Sequence, residues 1–307
     1  MAEPEPEASA TRCGFIALIG APNAGKSTLL NALVGAKISI VTPKVQTTRA
    51  LMRGIAMSGP AQLIFVDTPG IFTPRRRLDR AMVGTAWGSA QDADIVALLI
   101  DARAGPKDDD EAILRGLVDV RSAKKVLVLN KVDLVDKPLL LTLAQRLNER
   151  AAFAATFMIS ALTGSGIDDV RTWFAENVPA GPWLYPEDQI SDAPLRQLAA
   201  EITREKIYLR LHQELPYQST VETDVWKELK DGSVRIEQTI YVERESQRKI
   251  VLGKAGQTIK AIGAAARTEI AAEIEHPVHL FLFVKVREHW SDDPERYRQM
   301  GLEFPSK

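Results

Sequence analysis

A single cysteine, Cys13, stands in the 307-residue chain, so no internal disulfide can form and a cysteine-based metal centre is excluded, which fits a reducing cytoplasm. Histidine is scarce too, at four residues: His212, His276, His279 and His289. His276 and His279 bracket Pro277 with no acidic or thiol partner at ligand spacing, so packed or solvent-facing rings are expected there and not a metal site. Neither sign of charge dominates. With 39 Lys and Arg against 40 Asp and Glu, the formal net charge is −1, which confines any nucleic-acid contact to a local patch. The apolar runs, such as Ile95 to Ile100, are of strand length and far short of the ~20 residues of a membrane span. Residues 1–10 lack the basic start and apolar stretch of a signal peptide and read as a short disordered acidic tail.

The remaining composition, 45% hydrophobic, is ample for two compact cores. Over residues 11–178 apolar strands alternate with helical patterns, which predicts an α/β domain with a doubly wound, mainly parallel sheet. Helices are expected near 28–34, 78–91, 109–120, 139–150 and 168–178. One antiparallel pair, 49–57 with 62–66, is expected around the turn Ser58, Gly59 and Pro60. Residues 179–194 are rich in Pro and Asp without a sustained period, and read as a linker. Beyond it the patterns predict a helix over 195–213, strands over 221–229 and 233–243 around Asp231 and Gly232, helices over 247–252 and 257–272, and a strand over 279–287. Residues 195–307 are thus expected to form a smaller α+β domain with a C-terminal tail.

Three fragments occur in the order a nucleotide site needs. Gly20, Ala21, Pro22, Asn23, Ala24, Gly25, Lys26 and Ser27 match G-x-x-x-x-G-K-[ST], after the apolar run from Phe15 to Ile19 and before a helical pattern opened by Thr28. Backbone N–H groups of such a loop point at phosphate oxygens over a helix N-terminus; Lys26 reaches the β- and γ-phosphates, and Ser27 offers its hydroxyl to Mg²⁺. Asp67, Thr68, Pro69 and Gly70 follow a second apolar run. Alone they read as a turn, but downstream of a phosphate loop they place Asp67 to hold the metal through water and Gly70 to bring its N–H to the γ-phosphate. Asn130, Lys131 and Asp133 end a third run. A carboxylate only accepts hydrogen bonds, so Asp133 suits the N1–H and exocyclic amine of guanine, a donor pair that adenine lacks. Ser160, Ala161 and Leu162 would add a backbone N–H to guanine O6. Between the first two fragments, Thr48 is the first choice to complete the metal shell while a γ-phosphate is present, with Thr47 its rival. Lys26, Thr48 and Gly70 are therefore the residues expected to act in catalysis. Ile71 and Phe72 occupy the place where many GTPases keep a water-orienting Gln, so slow unaided hydrolysis is expected.

In the second half, Gly253, Lys254, Ala255 and Gly256 lie between two helical patterns. A tight G-x-x-G turn carrying a cation lets the backbone press against a nucleic-acid strand, as in KH modules, although the pattern alone also fits a plain connection between helices. Arg248, Lys249 and Lys260, with Arg244 and Arg267, would contact phosphates, while Ile250, Val251 and Ile259 would line the groove.

Taken together, these motifs resemble the Era family of bacterial GTPases. The resemblance runs from Thr11 to Glu288 through the phosphate loop, the stretch Val45, Gln46, Thr47, Thr48 and Arg49, the fragment from Asp67 to Ile71, Asn130 to Asp133, Tyr185 to Asp188, and Ile250 to Ile259. It implies GTP and GDP as ligands with Mg²⁺, and a type II KH domain that binds the 3′ end of 16S rRNA. It also implies a role in 30S subunit assembly, a monomer, and a cytoplasmic location with peripheral association at the inner face of the plasma membrane. By the same resemblance Asn23 helps hold a K⁺ ion beside the phosphates. Two other readings stay open: an RNA-binding assembly factor with structural nucleotide and incidental turnover, and an ATP-using phosphotransferase on the same loop.

Overall fold

The run Ile95 to Ile100 lies at the centre of the larger sheet: in β4 (Ile95–Asp101) every side chain through Ile100 is fully buried, because helices cover both faces. The computed structural model describes residues 11–305 except 45–46, 122, 212–214, 289 and 291–292, and of Gln299 only the backbone. The acidic tail over 1–10, Val45 and Gln46 of the expected switch loop, and His212 and His289 lie outside the described residues.

Six strands form this sheet in the order β2-β3-β1-β4-β5-β6, with β1 (Arg12–Gly20), β2 (Met52–Ser58), β3 (Ala61–Asp67), β5 (Lys124–Asn130) and β6 (Ala155–Met158) around β4. All neighbours are parallel except β2 and β3, the antiparallel pair expected around Gly59. On one face α1 (Lys26–Val34) and α5 (Ile167–Asn177) bury Leu29, Leu30, Leu33, Val170 and Phe174. On the other, α2 (Arg77–Asp92), α3 (Asp108–Gly116) and α4 (Lys137–Asn148) bury Ala86, Ala90, Ile113, Leu140 and Leu147. Each fully buried Leu or Ile contributes about 1.5–3 kcal/mol, so these layers fix the strand tips on which the ligand motifs sit. The order reverses beside β1, and in open α/β sheets the crevice at that point is where ligands bind.

The expected linker is not free. Cys13 N donates to Pro179 O at 3.1 Å, Leu184 N and Tyr185 N donate to the fully buried Gln62 Oε1 at 2.8 and 3.0 Å, and Ile55 N donates to Ile190 O at 2.9 Å. The segment lacks regular structure because its hydrogen bonds go to the side of the sheet instead of to itself.

A smaller sheet follows, in the order β7-β8-β9: β7 (Ser219–Glu228) antiparallel to β8 (Val234–Val242), and β8 parallel to β9 (Val278–Val286). Against one face pack α6 (Leu195–Arg210) and α8 (Gln257–Glu273), burying Ile202, Ile207, Ile262, Ala266 and Ile270; α7 (Glu245–Leu252) precedes α8. The C-terminal residues differ from the expected tail. They form α9 (Pro294–Gln299) and return to the larger domain, where Tyr297 and Leu302 are buried with Ala81 and Met82 of α2, and Leu51 N donates to Met300 O at 3.0 Å. Among the described residues no helix is long and apolar enough to cross a membrane.

Candidate nucleotide site and nucleic-acid interface

β1 ends at Gly20, α1 begins at Lys26, and the loop between them closes onto the tip of β5. At Gly25 φ is 100° and a Cβ would meet Asn130 Nδ2 at 2.1 Å, so only glycine fits. Lys26 is buried, and its Nζ donates to Gly20 O and Ala21 O, both at 3.1 Å. Burial pushes its ammonium pKa down to about 8, against the pull of Asp67 and then Asp110. A bound phosphate favours the cation, so above that pH binding must bring a proton with it. Affinity for GDP is expected to fall by up to about tenfold over the pH unit above 8, with proton uptake in calorimetry. A flat profile over that unit would show that Lys26 is already charged.

Ser27, Thr48 and Asp67 converge. Ser27 Oγ donates to Asp67 Oδ2 at 2.6 Å and lies 2.9 Å from Thr48 Oγ1, which is itself 3.5 Å from that carboxylate oxygen. Thr47 lines the same cavity as Ser27 and Thr48, but its hydroxyl is bonded to Thr42 Oγ1 at 2.6 Å and to Lys44 O at 2.8 Å and not to this cluster. Asp67 is fully buried, its Oδ1 has no hydrogen-bond partner, and desolvation raises its pKa. An orphaned buried carboxylate oxygen beside two hydroxyls is an all-oxygen donor set suited to a hard cation such as Mg²⁺. Thr68, expected to touch the ligand, has a fully buried side chain whose hydroxyl donates to Leu18 O at 2.7 Å; this side chain ties β3 to β1. Pro69 and Gly70 are buried, and Ile71 N donates to Gly20 O at 3.1 Å, which lays Gly70 against Pro22.

At the base end, Asn130 joins three motifs: its Nδ2 donates to Ala24 O at 2.9 Å, and its Oδ1 accepts from Lys131 N at 2.8 Å and Ala161 N at 3.0 Å. The Ala161 N–H is thus engaged by protein, while Leu162 beside it is exposed. Ser160 Oγ accepts from Thr163 N at 3.3 Å. Lys131 extends across the site, its Nζ on Asn23 O at 2.8 Å and Asp101 Oδ2 at 2.6 Å. Asp101 was not anticipated; its only sequence signal is an acidic residue at the tip of a buried strand. Asp133 stands exposed in a short turn of 3-10 helix, Val132–Leu134. Asn23 Nδ2 donates to Pro43 O at 3.2 Å, linking the phosphate loop to the segment that carries Thr48. Gly25, Lys26, Ser27, Thr28, Thr48 and Gly70 all line one open cavity of about 360 Å³.

That segment also leads into the second domain. Arg49 is buried and donates to Tyr208 Oη at 2.7 Å, Ser219 O at 2.9 Å and Pro216 O at 3.1 Å. Arg204 Nη2 donates to Thr47 O at 2.5 Å, Val41 N donates to Glu205 Oε1 at 2.9 Å, and Lys44 Nζ donates to the carbonyls of Tyr208 and Leu211 at the end of α6, where a cation is favoured. A larger cavity of about 470 Å³ lies alongside, but its arginines Arg49, Arg196, Arg204 and Arg296 are held by carbonyls, Glu201 and Glu222, and none of the phosphate-loop residues lines it.

The G-x-x-G turn joins α7 to α8 with Gly253 at φ 72°, where a Cβ would strike Thr258 Oγ1 at 2.1 Å. Lys254 and Ala255 stand exposed at its tip, Ala255 at φ 51°, and Gly256 leads into α8. Lys249 and Lys260 are exposed, whereas Arg248 is engaged with Val284 O at 3.2 Å and Glu245 at 2.9 Å. Of the expected groove residues, Ile259 lines a trough between α8 and β9 and Ile250 is exposed, but Val251 is fully buried in the core. Val251 was expected in the groove as an apolar residue beside the turn, but it lies on the side of α7 that packs on the sheet.

Family models place the same division along the chain: residues 15–131 match a model described as a 50S ribosome-binding GTPase, and residues 214–291 match one described as a KH domain. The chain is 70% identical to GTPase Era of Brucella suis biovar 1 (strain 1330) over 302 residues, covering 98% of this chain and 97% of that protein. The chain belongs to the Era family. It is also 70% identical over 295 residues to GTPase Era of Rhizobium meliloti (strain 1021), covering 96% and 94% of the two chains. Among solved structures, a variant Era of Aquifex aeolicus bound to GDP and AlF4⁻ shares 37% identity and superposes with a TM-score of 0.89 over 95% of this chain and 99% of that one. An Era complex with MgGDPNP and nucleotides 1506–1542 of 16S ribosomal RNA agrees equally, with a TM-score of 0.89 and 37% identity over 95% and 99%. The expected α/β GTPase domain followed by a smaller KH domain is therefore the architecture of this Era-family protein, and GTP binding and hydrolysis are its activity.

Proposed function

We propose that this Era-family GTPase is a nucleotide-controlled switch that binds the 3′ end of 16S rRNA through its KH domain during assembly of the 30S subunit. The observation that carries the coupling is the placement of Thr48, whose hydroxyl faces Ser27 and Asp67 while its neighbours Thr47 and Arg49 are bound to Arg204, Tyr208, Pro216 and Ser219 of the second domain. Ser27 and Thr48 would hold Mg²⁺ with the phosphates, and Asp67 would hold it through water; bound there, the ion neutralises charge on the phosphate oxygens. A K⁺ ion held by Asn23 of the phosphate loop, whose amide also reaches Pro43 O, belongs to the same reading. The buried apolar Ile71 after Gly70 supports slow intrinsic turnover. The solved Era complex with 16S rRNA supports the RNA assignment.

Inverting a two-state equilibrium from 1:99 to 99:1 takes about 5.5 kcal/mol. Hydrogen bonds to a charged group contribute about 1.5–3 kcal/mol each, so the three bonds of Arg49, about 4.5–9 kcal/mol together, are large enough to carry that shift when they form in one state only. With Arg49→Ala, RNA affinity is expected to become the same with GTP analogue as with GDP, while nucleotide affinity changes less than about threefold; Lys44→Ala, a milder cut in the same contact, is expected to narrow the difference in part. RNA titrations of wild type that show no dependence on nucleotide would favour the reading with structural nucleotide and incidental turnover.

A further inference from the structure

β9 is an edge strand of the smaller sheet, and the alternation of its side chains divides it between two faces. Leu280 and Leu282 turn toward α8 and line the trough with Ile259, Lys260, Gly263 and Arg267, next to the G-x-x-G turn. Phe281 and Phe283 stand on the opposite face, 44% and 48% exposed. Phenylalanine is usually buried, and two such rings in a row on an edge strand are an aggregation hazard unless they are used. Lys285 lies beside them on the same face, and the Arg235 guanidinium of β8, paired with Glu237, lies 4.9 Å from the Phe281 ring centroid. The acidic groups of this face are spoken for. Glu237 pairs with Arg235, Glu222 with Arg296, and Asp224 accepts from the Thr239 hydroxyl at 2.6 Å; Glu222 and Asp224 lie on β7, across the sheet from the edge.

Adjacent exposed aromatics with interleaved cations form a stacking platform for single-stranded nucleic acid, since every base has a face to stack and every linkage a charge to neutralise. Here the platform lies on the reverse side of the same strand that walls the trough, so a chain leaving the trough over the edge of β9 passes directly onto it. We propose that the Phe281 and Phe283 face is a second RNA surface, on which single-stranded RNA that has left the groove stacks two bases while Lys285 contacts its phosphates. The proposal rests on the KH groove binding RNA, and the test separates the two.

Full-length protein is titrated with two labelled single-stranded RNAs, one of about four nucleotides, the length a KH groove clamps, and one of about twelve. The double variant Phe281→Ala, Phe283→Ala is expected to bind the short RNA as wild type does and the long RNA at least about tenfold more weakly, and Phe281→Tyr with Phe283→Tyr to restore the long-RNA affinity. GTP hydrolysis and the thermal midpoint, unchanged in both variants, show that the fold is kept. Equal affinity of wild type and the alanine variant for the long RNA overturns the proposal, as does loss of a protein partner from small-subunit particles with both RNA affinities intact. Failure of the groove reading looks different: Lys254→Asp would then leave the short RNA bound.

Discussion

Replacing Asp133 with Asn is expected to lower GTP affinity by about a hundredfold and to make XTP the preferred nucleotide, because an unmade charged contact to the base costs on the order of 2–3 kcal/mol. The carboxylate only accepts, and guanine presents two donors to it; an amide turns its NH2 toward those donors but matches the carbonyl that xanthine carries instead. The effect is confined to the base because Asp133 is exposed on the turn after β5, whereas its neighbours Asn130 and Lys131 are tied to Ala24, Ala161, Asn23 and Asp101. Competition between GTP and XTP, read by displacement of a labelled nucleotide, measures it. A variant that still prefers GTP would assign base recognition to the backbone around Ala161 and Leu162. Tight ATP binding by wild type would restore the phosphotransferase reading.

Lys254→Asp with Ala255→Asp is expected to weaken single-strand RNA binding by about a hundredfold or more, since two cation-to-anion or neutral-to-anion changes set charge against the phosphates that the turn must approach. The turn tolerates the change. Both side chains are exposed, and Ala255 at φ 51° occupies the left-handed region, where Asp is more at ease than Ala. GTP hydrolysis should persist at the wild-type rate, because no phosphate-loop residue contacts this turn across the intervening helices. Undiminished RNA affinity in a filter-binding or anisotropy titration would remove the groove from the function.

Much of the architecture was legible because it depends on period and on backbone chemistry. The runs that became β1, β3, β4 and β5 are continuous apolar stretches, as strands covered on both faces must be, and Gly20 and Gly25 of the phosphate loop and Gly253 of the G-x-x-G turn mark places where a Cβ has no room. What was not legible depends on contacts between residues distant in sequence. Asn130 reads as part of a base-recognition motif, yet its side chain is spent on holding the phosphate loop and the Ala161 loop together. Lys44 and Arg49 read as ordinary cations near a switch, and nothing in their spacing shows that α6 awaits them more than 150 residues later, as the 159-residue separation of Arg49 and Tyr208 requires. Gln62 looks like the polar start of a strand, but it is fully buried and organises Leu184 and Tyr185. One signal was overlooked: Trp290, Tyr297 and Phe304 recur every seven residues, a helical spacing, and three large rings in fifteen residues are more than a solvated tail needs.

Because the last residues return to α2 while the segment before α6 runs along β2 and β3, the KH unit is tethered to its neighbour at two separate places. A body held by a single cord can swing in any direction; one held by two pivots about the line between them. Once the Lys44, Arg49 and Arg204 contacts to the Thr48 loop are released, rotation about that one axis is the motion left, and releasing the C-terminal tether as well would convert a directed hinge into a loose pendulum.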